Sequence, residues 1–309
     1  MTFVYTVFTL NLAQNVSPAG STERDAQRLP LSVAIITLNE EANLPRCLAS
    51  VRGLAREIIV IDSGSTDGTA AVAQRFGAVF EVHPWKGHIA QKNIALRRCS
   101  QPWVLGIDAD EALSPQLEAA IRHAFAPPGP AADGYWVNRR SFYLGDWIWH
   151  AWYPEWRLRL VRREGAEWRG IDPHDMLEVT GALAHMEGDL LHYSYRDLEH
   201  HLHKTIYYAR ATADSYAREG RTFHWYNLIL SPWWLFVKRL VLKQGWRDGW
   251  RGWLIAGIGM FHTFAKYAFL LEKKINPPGK PATSPDKSVK PSSNAPQSTE
   301  VSAANSARP

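Results

Sequence analysis

The sequence predicts an α/β fold with a Rossmann-like mixed sheet, followed by a helical C-terminal extension. Three apolar segments of strand length, Leu31–Thr37, Glu57–Asp62 and Trp103–Asp108, each end in polar or acidic residues. Helical patterns separate them, and strands that alternate with helices of about 10–15 residues are typical of βαβ units and a parallel sheet. From residue 198 onward the chain is instead rich in tryptophan, lysine and arginine. This change of composition marks the start of the extension.

Local signals predict the helices between these strands. Apolar residues recur at helical spacing over 40–53, 66–76 and 88–99, which favours a helix in each range. Asp67 can cap the second helix and Gly77 can end it. Ser114-Pro115 is a good start signal for a further helix.

After Gly134 the chain returns to strand patterns. A short strand is already predicted over 78–82, and both Tyr135–Arg140 and Trp156–Arg162 alternate between apolar and polar residues. Alternation of this kind gives a strand with one apolar face. We expect these two segments to extend the sheet as mixed or antiparallel strands.

Composition divides the chain into four parts. Residues 1–30 hold an apolar stretch that is interrupted and lacks a basic n-region, so they are predicted to be a disordered leader rather than a signal peptide. Residues 31–197 form the sheet domain, and residues 198–275 form a helical region that is both aromatic and basic. Residues 276–309 are rich in Pro, Ser, Ala and Lys and are predicted to be a disordered tail.

Polar side chains follow the first two strands, at the edge where open α/β sheets bind ligands. Thr37, Asn39 and Glu40 lie at the first strand end, and Asp62 closes the second. The loop that follows Asp62, Ser63-Gly64-Ser65-Thr66-Asp67-Gly68, is made of small and hydroxyl residues and opens a helix. A ligand can therefore approach its backbone closely. For this loop alone, a helix-capping turn without a ligand is an equal alternative.

The third strand ends in Asp108-Ala109-Asp110. Two carboxylates one residue apart can meet one divalent cation, Mg²⁺ or Mn²⁺, directly or through water. Such a cation can bridge the two phosphates of a nucleotide diphosphate. Acidic turns are common, but the position after an apolar strand, behind the other two strand ends, favours a metal site.

Together the three segments resemble the family 2 glycosyltransferases, and the resemblance covers residues 31 to about 180. It implies that residues 31–197 are a GT-A catalytic domain that binds a nucleotide-diphospho-sugar donor. The equivalents of Asp62 and of the Thr37/Glu40 pair hold uracil and ribose in that family. The resemblance implies metal ligation by Asp108 and Asp110, and further donor contacts at Asn39, Ser63, Gly64, Ser65, Asp67, Lys92, Asp108 and Ala109. For Lys92 an exposed helix surface is the alternative.

Transfer by single displacement needs a base that removes a proton from the acceptor hydroxyl, and a partly desolvated carboxylate can do this. His174-Asp175 resembles the His-Asp or His-Glu pair that follows an Arg-Leu-Arg-Leu-Val-Arg-Arg strand, here 157–163, in the lipopolysaccharide-core branch of the family. This resemblance assigns Asp175 as the base and lets His174 position a phosphate or the carboxylate. Asp172 and Glu178 remain rivals, and a surface acidic loop is the further alternative.

The extension has the composition of a membrane-contacting region. Residues 198–275 hold 12 lysines and arginines against 5 aspartates and glutamates. Lys243, Arg247 and Arg251 form a basic stripe beside an apolar helix face with a step of three or four residues: Trp246, Trp250, Trp253, Gly257, Phe261, Phe264, Ala268 and Leu271. Tryptophan on one side of a helix and cations on another are typical of a helix in the lipid headgroup region.

Other roles for the extension are less favoured. Gly252–Ala265 is uncharged for only 14 residues, whereas a spanning helix needs about 20. A helix buried against the catalytic domain is a further alternative. Nucleic acid is not an expected partner, because base-stacking platforms need a few exposed rings rather than a continuous apolar face.

These features predict an inverting glycosyltransferase, peripheral to the cytoplasmic face of the inner membrane. Its expected partners are a nucleotide-diphospho-sugar, for which UDP-glucose is preferred, a lipid-linked glycan and the membrane surface. The preferred acceptor is the lipopolysaccharide inner core. A transferase that acts on a polyprenyl phosphate or on another envelope polysaccharide is the alternative enzyme, and an inactive nucleotide-sugar-binding scaffold is the alternative outside enzymes. Inversion and the acceptor rest on the family resemblance.

Overall fold

A computed structural model describes residues 28–171 and 174–276 of the chain. The predictions of a disordered leader over 1–30 and of a disordered tail over 276–309 lie mostly outside the described residues. Leu29 and Pro30, which were assigned to the leader, belong to the first strand instead. Eleven strands lie within the described ranges: β1 (Leu29–Thr37), β2 (Ala55–Asp62), β3 (Val79–Val82), β4 (Trp103–Asp108), β5 (Glu111–Leu113), β6 (Gly134–Tyr143), β7 (Asp146–Trp147), β8 (Trp156–Arg162), β9 (Glu167–Ile171), β10 (His174–Glu178) and β11 (Leu183–His192). The α-helices there are α1 (Leu44–Val51), α2 (Thr69–Arg75), α3 (His88–Arg98), α4 (Pro115–Ala124), α5 (Leu198–Arg218), α6 (Trp225–Val237) and α7 (Trp250–Ile275). A π-helical turn, Lys238–Leu242, and a 3₁₀ turn, Gly245–Asp248, lie between α6 and α7.

The main sheet has the strand order β3-β2-β1-β4-β8-β6-β11-β5, and β7 pairs with β6. Strands β1 to β4 are parallel to one another, whereas β8 is antiparallel to both β4 and β6. The predicted mixed sheet is therefore confirmed. In its register Thr37 lies beside Asp62 and Ile36 beside Asp108, so the three polar strand ends share one edge.

Two helices begin later than predicted, because the residues before them serve the loops at this edge. α1 begins at Leu44 rather than residue 40, since Asn39 adopts a left-handed conformation with φ 55° and the Glu40 amide donates to Thr69 Oγ1 at 2.9 Å. α2 begins at Thr69, whose amide donates to the Asp67 carboxylate at 3.0 Å. The prediction that Asp67 caps this helix is wrong, because the helix starts three residues later than expected and Gly68 occupies the N-cap position without a side-chain cap hydrogen bond.

A two-stranded hairpin, β9 and β10, lies outside the main sheet and carries Asp175 and Glu178, two of the candidate bases, so the alternative of a surface loop is wrong for these residues. Trp168 of β9 is buried against the sheet, and a Cβ atom on Gly106 would lie 2.9 Å from its indole ring. The side chain of Asn93 on α3 pairs with both backbone groups of Trp168, at 2.8 and 2.9 Å. These contacts fix the hairpin against α3.

In the extension, α7 contacts α5 and α6, and most of its buried residues are small, among them Gly252, Ala256, Gly259 and Thr263. The helix exposes Trp250, Trp253, Phe261 and Phe264, which belong to the apolar series that the sequence predicted as one face. By length and composition alone, α7 is the single helix in the described part of the chain that could cross a membrane, and 39% of its apolar window is buried within the protein.

Candidate active site

The loop after β2 is shaped by the Asp62 carboxylate. The Asp62 side chain is 1% exposed, and it accepts hydrogen bonds from the Thr37 hydroxyl at 2.9 Å and from the amides of Gly64 and Ser65 at 2.8 and 2.7 Å. Gly64 has φ +101°, a conformation that glycine adopts without steric cost. Asp62 thus organises the loop that was predicted to receive the donor.

The loops after β1 and β2 are joined by side-chain hydrogen bonds. Asn39 Oδ1 accepts from the Thr66 amide at 2.9 Å, and the Asn39 amide donates to Ser65 Oγ at 2.7 Å. On the α3 side, Ser63 Oγ accepts from Gln91 at 3.0 Å. The predicted donor contacts from these two loops therefore lie together at one edge of the sheet.

Lys92 connects the end of β4 to the β9–β10 hairpin. Its side chain is 8% exposed, and its Nζ lies 2.9 Å from Asp108 Oδ1 and 2.8 Å from Asp175 Oδ2. The ammonium also lies 4.5 Å from the centre of the Trp168 ring. The exposed-helix alternative for Lys92 is wrong, because the residue is buried between two carboxylates.

Arg159 on β8 contacts the same strand end. Its Nη2 lies 3.1 Å from Asp108 Oδ2 and 2.8 Å from Glu111 Oε1. Burial raises the pKa of Asp108, but the charges of Lys92 and Arg159 outweigh it and hold that pKa well below 3.8. Arg139 reaches Glu111 at 3.2 Å and Glu155 at 2.9 Å. Buried carboxylates and cations therefore alternate across the strand ends.

Asp110 faces a histidine rather than a lysine or arginine. Its Oδ2 lies 3.5 Å from His192 Nε2, and both side chains are partly accessible, at 17% and 13%. Ala109 between the two aspartates is buried in the core at 3% exposure. Sequence reasoning missed His192, because β11 brings it to the site from far along the chain, and no local motif marks it.

Asp110 and His192 fit a divalent cation. A carboxylate oxygen and an imidazole nitrogen are both metal ligands. Burial and the nearby charge of Asp110 raise the pKa of Glu40, so negative charge accumulates here in a way that a cation would relieve. Within residues 28–171 and 174–276 no group of three or more His, Cys, Asp and Glu could hold a metal. Donor phosphates and water would have to complete the shell.

Two of the three candidates for the base, Asp175 and Glu178, differ in exposure. Asp175 is 15% exposed and contacts Lys92, whereas Glu178 is 52% exposed and lies 3.8 Å from Arg169. Side chains alternate between the two faces of a strand, and Asp175 shares its face of β10 with buried Leu177. Asp172 lies outside the described residues. His174 begins β10 and pairs through its backbone with Ile171.

Comparisons with known proteins identify related chains. The family model described as glycosyl transferase family 2 matches residues 32–178. The lipopolysaccharide core biosynthesis glycosyltransferase LpsC of Rhizobium meliloti is 36% identical over 264 residues, covering 80% of this chain and 92% of that protein. An uncharacterised glycosyltransferase of Rickettsia typhi is 30% identical, covering 78% and 87%. The match to LpsC is longer than the family-model match and includes part of the extension.

Two solved structures are also similar in part. Glucosyl-3-phosphoglycerate synthase of Mycobacterium tuberculosis, crystallised with Mn²⁺, UDP and glucosyl-3-phosphoglycerate, is 28% identical over 40% of this chain and 47% of that one, with a TM-score of 0.30. S. aureus TarS with UDP-GlcNAc is 13% identical over 78% of this chain and 92% of that one, with a TM-score of 0.42.

Replacing Lys92 with methionine tests the buried ion pair. We expect the free energy of unfolding at pH 7 to fall by about 3 kcal/mol, because Asp175 loses its cation and Asp108 keeps only Arg159. A carboxylate whose folded pKa is depressed stabilises the protein above its unfolded pKa and loses that effect as the pH falls. The deficit of Lys92→Met should therefore shrink below about pH 4.

Denaturant unfolding at several pH values measures this deficit. Lys86→Met, which removes an exposed lysine from the preceding loop, is the control and should change the free energy by less than about 0.5 kcal/mol. Equal losses in the two variants, or a loss independent of pH, would contradict the buried pair.

Proposed function

The chain belongs to glycosyl transferase family 2 and has the GT-A fold, and on this premise we propose that it transfers a hexose from UDP-glucose to the lipopolysaccharide inner core with inversion. The observation that carries the proposal is the position of Lys92, whose ammonium contacts Asp108 at 2.9 Å and Asp175 at 2.8 Å. Through this contact the partly buried Asp175 carboxylate lies beside the end of β4, where the donor diphosphate would lie. One base at this place suits a single displacement.

Asp175 acts as the base in this reaction. The acceptor hydroxyl oxygen forms a bond to the anomeric carbon, its proton passes to the Asp175 carboxylate, and the bond from that carbon to the diphosphate oxygen breaks. Partial burial of Asp175 favours the role, and the outward direction of Glu178 argues against the rival. His174 keeps the role implied by the resemblance, which is to position a phosphate or the carboxylate.

A divalent cation, Mn²⁺ or Mg²⁺, would be held by Asp110 and His192, and when bound it would neutralise charge on the departing diphosphate. Asp108, which the sequence suggested as a second ligand, already contacts Lys92 and Arg159. In the proposed site Asp108 therefore orients these two cations toward the donor phosphates. Thr37, Asp62 and the Ser63–Asp67 loop receive the uridine.

The proposed acceptor rests on the similarity to LpsC, a lipopolysaccharide core biosynthesis glycosyltransferase, which extends beyond the catalytic domain. A polyprenyl phosphate acceptor or another envelope polysaccharide is the alternative for the same site. These acceptors are all anchored in a membrane, and the extension presents a suitable surface for one.

The membrane-facing surface is formed by α6 and the outer face of α7. Large apolar side chains are more than half exposed there: Trp225, Ile229, Leu230, Trp233, Trp234, Trp250 and Trp253. Exposed apolar area of this extent marks an interaction site. Lys238 directly follows α6 and Lys243 ends the next helical turn, where cations can meet anionic headgroups. We infer that the protein binds peripherally to the cytoplasmic face of the inner membrane, with α6 and α7 at the interface.

Deleting the gene should shorten the lipopolysaccharide core by one hexose, as measured by mass spectrometry of extracted lipid. Wild-type protein should restore the core, and Asp175→Asn should not, because the amide cannot accept the proton. The purified Asp175→Asn variant should bind UDP with wild-type affinity and lose turnover by about 100-fold or more. Glu178→Gln is the matched control and should restore the core. An unchanged core after deletion would refute the proposed acceptor.

Removing either proposed metal ligand should weaken Mn²⁺-dependent binding of UDP. In isothermal calorimetry, Asp110→Ala should bind UDP with the same Kd in Mn²⁺ as in EDTA. His192→Ala should raise the Kd for UDP in Mn²⁺ at least about tenfold. Asp146→Ala removes an exposed carboxylate (61% accessible) and serves as the control. Full Mn²⁺ dependence in Asp110→Ala would exclude Asp110 as a ligand.

Replacing Trp233 and Trp234 together with serine should reduce the fraction of protein that sediments with vesicles of anionic and neutral phospholipid. Loss of two interfacial tryptophans should lower the partition coefficient at least about tenfold. The control is Trp85→Ser, which removes a tryptophan of similar exposure, 46%, from the catalytic domain. If both variants partition as the wild type does, the membrane contact lies elsewhere.

A further inference from the structure

A buried aspartate of the extension holds a loop of the catalytic domain. We call residues 142–153 the aromatic loop, since they include Phe142, Tyr143, three tryptophans and Tyr153. Asp248 is 2% exposed, and its carboxylate accepts hydrogen bonds from the amides of Trp149, His150 and Ala151 at 3.0, 3.1 and 2.8 Å. His150 Nδ1 also lies 3.0 Å from Asp248 Oδ1. One carboxylate therefore fixes three consecutive residues.

Further contacts from the extension fix the rest of the aromatic loop. Arg251 Nε donates to the Leu144 carbonyl at 3.0 Å, and the Tyr143 hydroxyl lies 2.7 Å from His201 Nδ1 on α5. Ile148 and Ile255 belong to one buried cluster. The conformation of the aromatic loop is thus set by the extension rather than by the sheet alone.

The aromatic loop exposes one tryptophan beside a largely buried arginine. Trp149 is 49% exposed, and the Arg140 guanidinium lies 4.2 Å from its ring centre and 5.0 Å from that of Trp147. The Arg140 side chain is 15% exposed and also lies 3.4 Å from Asp189 Oδ2. The Tyr153 hydroxyl donates to Asp189 at 3.2 Å. Aromatic faces pack against the C–H faces of sugar rings, and a guanidinium binds phosphate or carboxylate substituents. These groups suit an anionic glycan.

The residues that follow the aromatic loop contact the charged side chains at the strand ends. Glu155, two residues after Tyr153, accepts from Arg139 Nε and Nη2 at 3.0 and 2.9 Å. Arg139 in turn contacts Glu111, which follows Asp108-Ala109-Asp110 directly. A glycan bound at the aromatic loop would lie between the strand ends and the membrane-facing helices.

We propose that Asp248 is a positioning residue that holds the aromatic loop in the conformation in which Trp147, Trp149 and Arg140 bind the anionic sugars of the acceptor. The inference rests on the proposed function and adds the acceptor site to it. Asp248 belongs to neither the proposed donor site nor the base, so its loss should affect acceptor binding and leave donor binding and the chemical step intact.

Steady-state transfer from UDP-glucose to lipopolysaccharide extracted from the deletion strain tests this inference. Asp248→Ala should raise the acceptor KM about tenfold or more, because charge-assisted hydrogen bonds to three amides are lost, while kcat and the Kd for UDP stay within about twofold. Asp248→Asn keeps one acceptor oxygen and should give an intermediate KM. Asp214→Asn, which removes a charge from α5 that pairs with Lys273, is the matched control and should behave as the wild type does.

Hydrogen–deuterium exchange provides a readout independent of the acceptor. In Asp248→Ala the amides of residues 149–151 should exchange at least about tenfold faster, with unchanged protection in β1, β2 and β4. An unchanged acceptor KM, a loss confined to kcat, or unchanged exchange at 149–151 would overturn the inference. A wild-type enzyme that fails with this acceptor contradicts the proposed function instead, and the exchange measurement separates the two failures.

Discussion

The candidate site depends on the pairing of the buried Asp108 carboxylate with two cations. Burial raises the pKa of Asp108, but the charges of Lys92 and Arg159 outweigh it and hold that pKa below its usual range. The same two cations also contact Asp175 and Glu111. Removing one charge from such a network leaves its partner buried and unpaired, which costs more free energy than the pair contributes. The same interactions therefore fix the position of Asp175 and connect the β9–β10 hairpin to the sheet.

The sequence was sufficient for the parts of the site that follow from local pattern. Apolar strands that end in Thr37, Asp62 and Asp108 must bring those ends together once the strands are parallel and in register, and the structure confirms this. The β9–β10 hairpin was not predicted, because it depends on the packing of Trp168 against Gly106 and on the Asn93 side chain, contacts between distant parts of the chain. His192 and Arg139 reach the site through β11 and β6 and carry no motif of their own.

In the extension, too, the features that follow from local sequence pattern were predicted, and those that depend on long-range contacts were not. The apolar series with a step of three or four residues was predicted as one helix face from Trp246 to Leu271, and the structure exposes its aromatic members. Trp246 does not lie on α7, however, because a short 3₁₀ turn over Gly245–Asp248 and Gly249, with φ 62°, precede this helix. No sequence pattern indicates the role of Asp248, an isolated acid among cations, because that role depends on three amides nearly a hundred residues away. The exposed helix α6 was not predicted, and it contains Pro232 within its length.

The start of α7 and the turn before it contact different surroundings on their two sides. Trp250 and Trp253 face outward, whereas Asp248 and Ile255 face the aromatic loop, and Gly252 packs so closely on the Gly245 carbonyl that a Cβ would clash. Segments packed this closely move together as one rigid unit. A helix placed against a membrane by its tryptophans would therefore also set the aromatic loop, and so hold an acceptor from that membrane at a fixed distance from Asp175. If the proposed coupling operates, it would link the extension to the catalytic domain, and the similarity to LpsC does extend past residue 178, where the family-model match ends.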